Sequence, residues 1–245
     1  MEKLTIHPIP LMFGFFKYAK SRMTYLYNLD QHINIYCFVW YIEGAGERVL
    51  VDAGATAETV AEIYPEEMIT PVQSLEEGLG KYNISPADID TIIVTHLHWD
   101  HIGLAHKYVN ARFIVQEDEL NEARRYSVPT GGYIPALYED LNYDVVKGDV
   151  QIMKGIKVLL TPGHSAGGQS VAIETKKGTA VIPGFCCIEE NFEPPESIRE
   201  KTPFIVPGVH ISVPQISESM VKVIRTADMI VPLHGLKYVN IDTIP

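Results

Sequence analysis

Cysteine is scarce in this chain: Cys37, Cys186 and Cys187 are the only three among 245 residues. An odd, sparse set is no disulfide framework, and the compartment it fits is a reducing cytoplasm. Positive charge is scarce as well. The chain carries 20 Lys+Arg against 31 Asp+Glu, formally −11, with no basic block. Little here would draw it to a phosphate backbone or an anionic bilayer, so neither nucleic acid nor membrane is an expected partner. No charge-free apolar run reaches the roughly 20 residues of a membrane span. The apolar patch from Ile9 to Phe16 is broken by Pro10 and has neither a basic stretch before it nor a cleavage site after it, so no signal peptide is read. Linkers, low-complexity tracts and short repeats are also missing. The expectation is one domain over residues 1–245.

What is present is the composition of a folded globular protein, 46% hydrophobic and 21% charged. Short Val- and Ile-rich runs predict strands at Ile33–Ile42, Arg48–Val51, Thr91–Val94, Arg112–Val115, Lys157–Leu160, Ser170–Glu174, Thr179–Ile182 and Met229–Val231. Helical spacing falls between them, at Ser74–Tyr82, Glu117–Tyr126 and Val213–Ala227. The last puts Ile216, Met220, Val223 and Ile224 on one stripe. Strands mixed with helices throughout indicate a layered α/β or α+β fold. Residues 126–143 hold Pro129, Gly131, Gly132, Pro135 and four tyrosines with weak periodicity. They predict an insertion of loop or short helix on the substrate side.

The strongest chemical signal is Thr95-His96-Leu97-His98-Trp99-Asp100-His101, directly after Ile92-Ile93-Val94. Neutral imidazole together with carboxylate suits a borderline divalent ion such as zinc. His96 and His98, two apart, can face one point, while Asp100 and His101 face a second nearby. The pattern therefore suggests two metals. Two further segments repeat the arrangement of apolar strand, turn and histidine: Thr161-Pro162-Gly163-His164 and Val231-Pro232-Leu233-His234. Together the three can converge at one sheet edge.

The His-x-His-x-Asp-His string, the later Pro-Gly-His, the final Pro-x-His and the strand-end Asp52-Ala53-Gly54 resemble the metallo-β-lactamase superfamily, in order from about Phe38 to Gly235. The resemblance implies a four-layer αββα sandwich of two mixed sheets flanked by helices. It also implies two divalent ions, zinc first, with iron or manganese as other candidates. His96, His98 and His164 would hold one ion and Asp100, His101 and His234 the other. Asp52 would orient a ligating histidine from behind.

One element of that pattern is missing. Where the family places a bridging aspartate, alignment on Glu190-Asn191-Phe192 puts Gly184, and no acid occurs between Gly178 and Glu189. Cys186 or Cys187 is the candidate replacement ligand; a second reading makes both thiols buried packing residues, and a third leaves the second ion weakly bound and the site working with one. The Glu190-Asn191-Phe192-Glu193 run resembles the N-acyl homoserine lactonase branch, whose substrate-side tyrosine is replaced here by Cys187. Tyr133 or Tyr138 from the insertion, and His210 near the rim, are substrate-side candidates.

A divalent ion brings a water's pKa toward neutrality, and hydroxide so formed attacks a polarised carbonyl. Asp100 is the residue expected to ligate and to carry the proton to the leaving group. The expected function is hydrolysis of a small-molecule lactone or other carboxylic ester. The alternatives are a thioesterase or phosphoesterase, a diiron redox protein of the same fold, or a non-catalytic metal-binding relative. The N-terminal apolar patch can cover the core or a second copy in a homodimer.

Overall fold

A computed structural model describes residues 3–60 and 69–245, without the side chains of 13–18 and 60. Two sheets form the frame. The first has seven strands in the order β4-β1-β2-β3-β5-β6-β7. These are β1 (Thr5–Ala19), β2 (His32–Glu43), β3 (Val49–Val51), β4 (Ile69–Pro71), β5 (Thr91–Ile93), β6 (Arg112–Gln116) and β7 (Tyr143–Val146). The second has five strands in the order β12-β11-β10-β9-β8: β8 (Val150–Met153), β9 (Ile156–Leu160), β10 (Gln169–Thr175), β11 (Gly178–Ile182) and β12 (Met229–Ile230). Both are mixed: β3, β5, β6 and β7 pair parallel, as do β11 and β12, and the other pairs are antiparallel.

The period of two along each strand divides the core. In the first sheet Trp40, Ile42, Val49, Val51, Ile93 and Ile114 fall on one face by register. They pack in a single cluster with Ile156, Val158, Val171, Ile173 and Ile182 of the second sheet. Their neighbours Leu50, Ile92 and Phe113 face the other way and pack with helical residues. The helices on that side are α2 (Leu75–Gly80), α3 (Trp99–Ile102) and α4 (Glu117–Ala123), contributing Leu75, Leu79, Ile102 and Leu120; α1 (Ala57–Val60) precedes them. Beyond the second sheet, α8 (Val213–Thr226) adds Ile216, Met220 and Val223. The short α5 (Pro135–Tyr138), α6 (Glu189–Phe192) and α7 (Glu196–Arg199) fill connections. This is the expected αββα arrangement. Each fully buried aliphatic side chain contributes on the order of 1.5–3 kcal/mol.

Local signals explain most boundaries. Ser74 caps α2 by accepting from Glu77 N–H (3.1 Å), and Glu77 returns the bond to Ser74 N–H (2.8 Å). Pro214 stands in the first turn of α8 behind the Ser212 cap. Four strands escape the sequence reading. In β1, Pro8 and Pro10 pair opposite Trp40 and Phe38, where β2 is the only partner strand among the described residues, so the missing N–H groups face no described ladder. Ile9, Leu11 and Met12 of the N-terminal patch are buried in the chain's own core, and the side chains of Phe13 to Phe16 lie outside the described residues. β4 has three residues, and β7 and β8 are four-residue edges with half-exposed patterns, too short and polar to read. No described helix is long and apolar enough to cross a membrane.

The strands β3, β5, β9, β11 and β12 end at one edge of the sandwich, and their loops meet there. Gln169 joins the two sheets at that edge. Its side chain donates to the carbonyls of Val94 (2.7 Å) and Ile114 (3.0 Å) and accepts from Gln116 Nε2 (3.0 Å).

Candidate metal centre

Two groups of ligand atoms gather at this edge. Those of His96, His98 and His164 lie within 4.8 Å of one another, as do those of Asp100, His101 and His234. The groups adjoin, with the His96 and His101 rings 4.2 Å apart. His96 and His98 stand on the loop after β5, and Asp100 and His101 on the single helical turn of α3. His164 follows β9 and His234 follows β12.

The far side of most of these rings is held. His164 Nδ1–H donates to the Val209 carbonyl (2.7 Å), and His234 Nδ1–H to the Tyr36 carbonyl (2.7 Å). His101 Nδ1 meets Asp52 Oδ2 at 2.8 Å, and His96 Nδ1 lies 3.1 Å from the Thr95 hydroxyl. A carbonyl can only accept, so Nε2 of His164 and His234 is left with a bare lone pair. Asp52 has φ +61, in the left-handed region, and is fully buried. Its carboxylate also accepts from Thr95 N–H (2.7 Å) and Thr95 Oγ (2.9 Å), charge-assisted bonds that offset the roughly 1–2 kcal/mol cost of that backbone. His98 is set differently. Its ring meets Tyr133 edge-on at 4.8 Å, and a Cβ on Gly132 would collide with it.

Burial and the neighbouring imidazoles hold His96 and His98 well below the usual imidazole pKa. Burial takes His164 down to about 4 and lowers His234. These four rings are neutral near pH 7. At His101 burial is outweighed by the carboxylates of Asp100 and Asp52 on either side, which raise it to about 10. At Asp100 burial is outweighed by the facing histidines, His101 first, which keep the carboxylate ionised far below its ordinary range.

The arrangement fits divalent ions. Nε2 of His101 and of His234 are buried without a hydrogen-bond partner. Asp100 Oδ2 lies 3.1 Å and 3.7 Å from them, off the hydrogen-bond direction. His164 Nε2 is 3.1 Å from His96 Nε2, a pairing of acceptors that a shared cation resolves. Imidazole nitrogens backed by carboxylate, hydroxyl and carbonyl are the donor set and support that such ions require.

The other candidates separate. Cys186 lines the pocket over the centre, its Sγ 3.4 Å from Met23 Sδ; burial, then the Asp100 charge, push its thiol pKa up. Cys187 faces the core cluster between the sheets, and the structure does not bring it to the centre. Gly184 is not a vacated ligand position. A Cβ there would collide with the Gln169 backbone, so no side chain fits, whatever its chemistry. Tyr133 and Tyr138 are not on the substrate side: both are buried, with their hydroxyls bound to Glu119 Oε1 (3.0 Å) and the Ala123 carbonyl (2.8 Å). Their segment reaches the pocket through Gly131 and Gly132 instead. His210 donates to the Pro207 carbonyl (2.7 Å) and packs edge-on to Tyr25; its neighbour Val209 lines the pocket.

Sequence reasoning missed Glu119. It looks like one acid in the charged run Glu117-Asp118-Glu119, yet it is fully buried. It accepts from the N–H of Leu97 (2.9 Å) and Gly167 (3.0 Å), bracing the loops of His96, His98 and His164. Glu119 shares the buried side of α4 with Leu120 and Ala123, and its place beside those two apolar residues was the signal in the sequence.

Comparison with known proteins adds the following. The sequence profile of the metallo-beta-lactamase superfamily matches residues 34–184. An N-acyl homoserine lactonase of Bacillus cereus is 31% identical over 174 residues, covering 66% of this chain and 68% of that protein. Among solved structures, an N-acyl homoserine lactone hydrolase with the product N-hexanoyl-L-homoserine at its catalytic metal centre superposes with a TM-score of 0.74 at 24% identity, covering 96% of this chain and 94% of that one. A probable metal-dependent hydrolase from Staphylococcus aureus superposes with a TM-score of 0.77 at 21% identity, covering 96% and 90%.

Proposed function

The chain belongs to the metallo-β-lactamase superfamily, and on that premise we propose that it is a metal-dependent hydrolase opening a lactone or related carboxylic ester of a small molecule. The observation that carries this reading is the pair of buried, unpartnered Nε2 atoms of His101 and His234 beside an ionised Asp100, next to three further histidines. His96, His98 and His164 would hold one ion, and Asp100, His101 and His234 the other. Five imidazoles and one carboxylate suit zinc. Bound divalent ions supply an activated water and polarise the scissile carbonyl.

The residues do the rest. Asp52, Thr95, Val209 and Tyr36 fix the rings so that no reorientation is needed as the reaction proceeds. Asp100, half-buried and ionised, faces the pocket and can accept the attacking water's proton at a carboxylate oxygen and return it to the leaving alkoxide. Trp99 and Ile35 wall off bulk water. The reducing cytoplasm inferred from cysteine usage belongs to the same reading.

The test is metal analysis of protein purified without added metal, with turnover measured on lactones, esters and thioesters. About two zinc ions per chain and lactone turnover lost by roughly a hundredfold or more in His96→Ala and Asp100→Asn are expected. Full activity in either variant overturns the proposal.

A further inference from the structure

The ligands of the second candidate ion, Asp100, His101 and His234, are all held from the first sheet. His234 gives its Nδ1–H to the Tyr36 carbonyl on β2 (2.7 Å), and His101 meets Asp52 just past β3 (2.8 Å). The His101 carbonyl also accepts from Ala53 N–H (2.7 Å) and Gly54 N–H (3.2 Å) in that loop. Asp100 is tied by the residue next to Tyr36: the Cys37 thiol donates to the Asp100 carbonyl (2.8 Å).

That carbonyl needs an outside donor. A helix leaves its last carbonyls without an internal partner, and α3 has only the four residues Trp99–Ile102. Leu104 N–H, which would close the next turn onto Asp100, donates to the Gly54 carbonyl instead (2.9 Å). A single turn gains too little from its own hydrogen bonds to hold its shape, so the place of the Asp100 backbone depends on what grips it. Ahead of Asp100 the grip is Trp99 N–H on the Gly132 carbonyl (2.9 Å), and at Asp100 itself it is Cys37.

Cysteine suits that place. Cys37 is buried among Met12, Ile35, Ile69 and Trp99, where a thiol packs as a small hydrophobe and still offers one donor. Its sulfur also accepts from Ala55 N–H, so β2, the loop after β3 and α3 meet at one atom. The group it serves is the one with buried, unpartnered nitrogens, Nε2 of His101 and of His234. Asp100 Oδ2 stands 3.1 Å and 3.7 Å from them, separations that depend on where β2 puts Tyr36 and Cys37. The first group has other supports: His96 is backed by the Thr95 hydroxyl and His164 by the Val209 carbonyl.

We propose that Cys37 is a positioning residue: its S–H bond to the Asp100 carbonyl keeps Asp100 in register with His101 and His234, and so sets the affinity of that ion site and the aim of the carboxylate. The proposal rests on the hydrolase reading for turnover, though not for metal binding.

Two substitutions separate bond from packing. Cys37→Ala removes donor and sulfur together, whereas Cys37→Ser restores a donor but sets a hydroxyl in the apolar niche. A packing role makes serine no better than alanine; a hydrogen-bonding role makes serine recover most of the loss. Zinc-loaded protein in competition with a chelator should release its ions in two steps. In Cys37→Ala the step that Asp100→Asn also weakens should weaken about tenfold, and the step that His164→Ala weakens should stay as in the parent. On lactones that the parent opens, kcat should fall about tenfold with KM little changed, because Asp100 acts after binding. In the infrared, one S–H stretch of the parent should lie at the lowered frequency of a hydrogen-bonded thiol and disappear in both variants, a readout that needs neither metal nor a stable alanine variant. Absence of that band, full affinity and kcat in Cys37→Ala, or equal losses in alanine and serine spread over both steps overturns the role of Cys37 and leaves the hydrolase reading standing. The selective metal loss with no turnover by the parent on any lactone or ester keeps the role and overturns the hydrolase reading. A parent that binds no zinc overturns both.

Discussion

Glu119→Ala isolates the least visible support of the metal centre. The carboxylate accepts from Leu97 N–H at 2.9 Å, Gly167 N–H at 3.0 Å and Tyr133 Oη–H at 3.0 Å, with no cation beside it among those partners. Burial raises its pKa, against the bonds that lower it. Truncation leaves three buried donors without an acceptor, at about 1–3 kcal/mol each. Relief of the buried charge returns part of that, so the net loss is about 3–5 kcal/mol, a large share of the 5–15 kcal/mol that holds a typical protein together. At about 2–4 °C per kcal/mol for a chain of this size, the melting temperature should fall by about 6–20 °C. Leu97 lies between His96 and His98, and Gly167 three residues past His164, so metal content should fall with stability. Glu119→Gln separates acceptor from charge. Its amide oxygen can keep the Leu97 and Tyr133 bonds while its NH₂ faces Gly167 N–H, so its loss should be smaller than that of alanine. Scanning calorimetry and metal analysis on the three proteins make the comparison. A Glu119→Ala protein that melts within about 2 °C of the parent and keeps its metal would refute the brace.

Asp52→Asn should weaken metal binding about 10–100-fold in competition with a chelator, because His101 Nδ1 loses its charged acceptor. Gly132→Ala should lower metal occupancy more than it lowers the stability of metal-free protein, since the three atoms nearest the added methyl all belong to the His98 ring; equal effects on both would count against it. Cys186→Ala should leave the metal-to-protein ratio unchanged, because its Sγ rests on Met23 Sδ (3.4 Å) and it belongs to neither group of gathered ligand atoms; a drop of one ion per chain would make it a ligand. Chelation should lower the melting temperature and restored zinc should recover it, by about 2.7 kcal/mol when free metal exceeds its Kd a hundredfold.

What could be read from the sequence was what residue type alone determines. His96, His98, Asp100, His101, His164 and His234 announce themselves because imidazole and carboxylate after apolar strands have few other reasons to recur. The strands β2, β3, β5, β6, β9, β10 and β11 announce themselves because buried faces demand Val and Ile. What holds those ligands in place was hidden, because a backbone carbonyl is the same in every residue. Val209 and Tyr36 orient two histidines with atoms that any side chain would leave available. Glu119 was hidden for the opposite reason: its type suggests solvent, and only the fold supplies the three donors that let a carboxylate sit in the core. Gly184 shows the risk of matching positions by spacing from a nearby motif. Counting back from Glu190-Asn191-Phe192 makes it a lost aspartate, whereas the backbone of Gln169 leaves no volume for any side chain there. The position therefore carries no memory of a ligand. The chain after β11 turns a thiol, Cys186, to the pocket and buries Phe185 and Cys187 in the core. The charge missing from the centre is for that reason a property of the whole loop, and one substitution at 184 would not restore it. An aspartate introduced at 186, on the pocket wall, is the change with room to do so. If the shortage of negative charge belongs to the loop, Cys186→Asp should tighten metal binding in competition with a chelator, and an unchanged affinity would break that link.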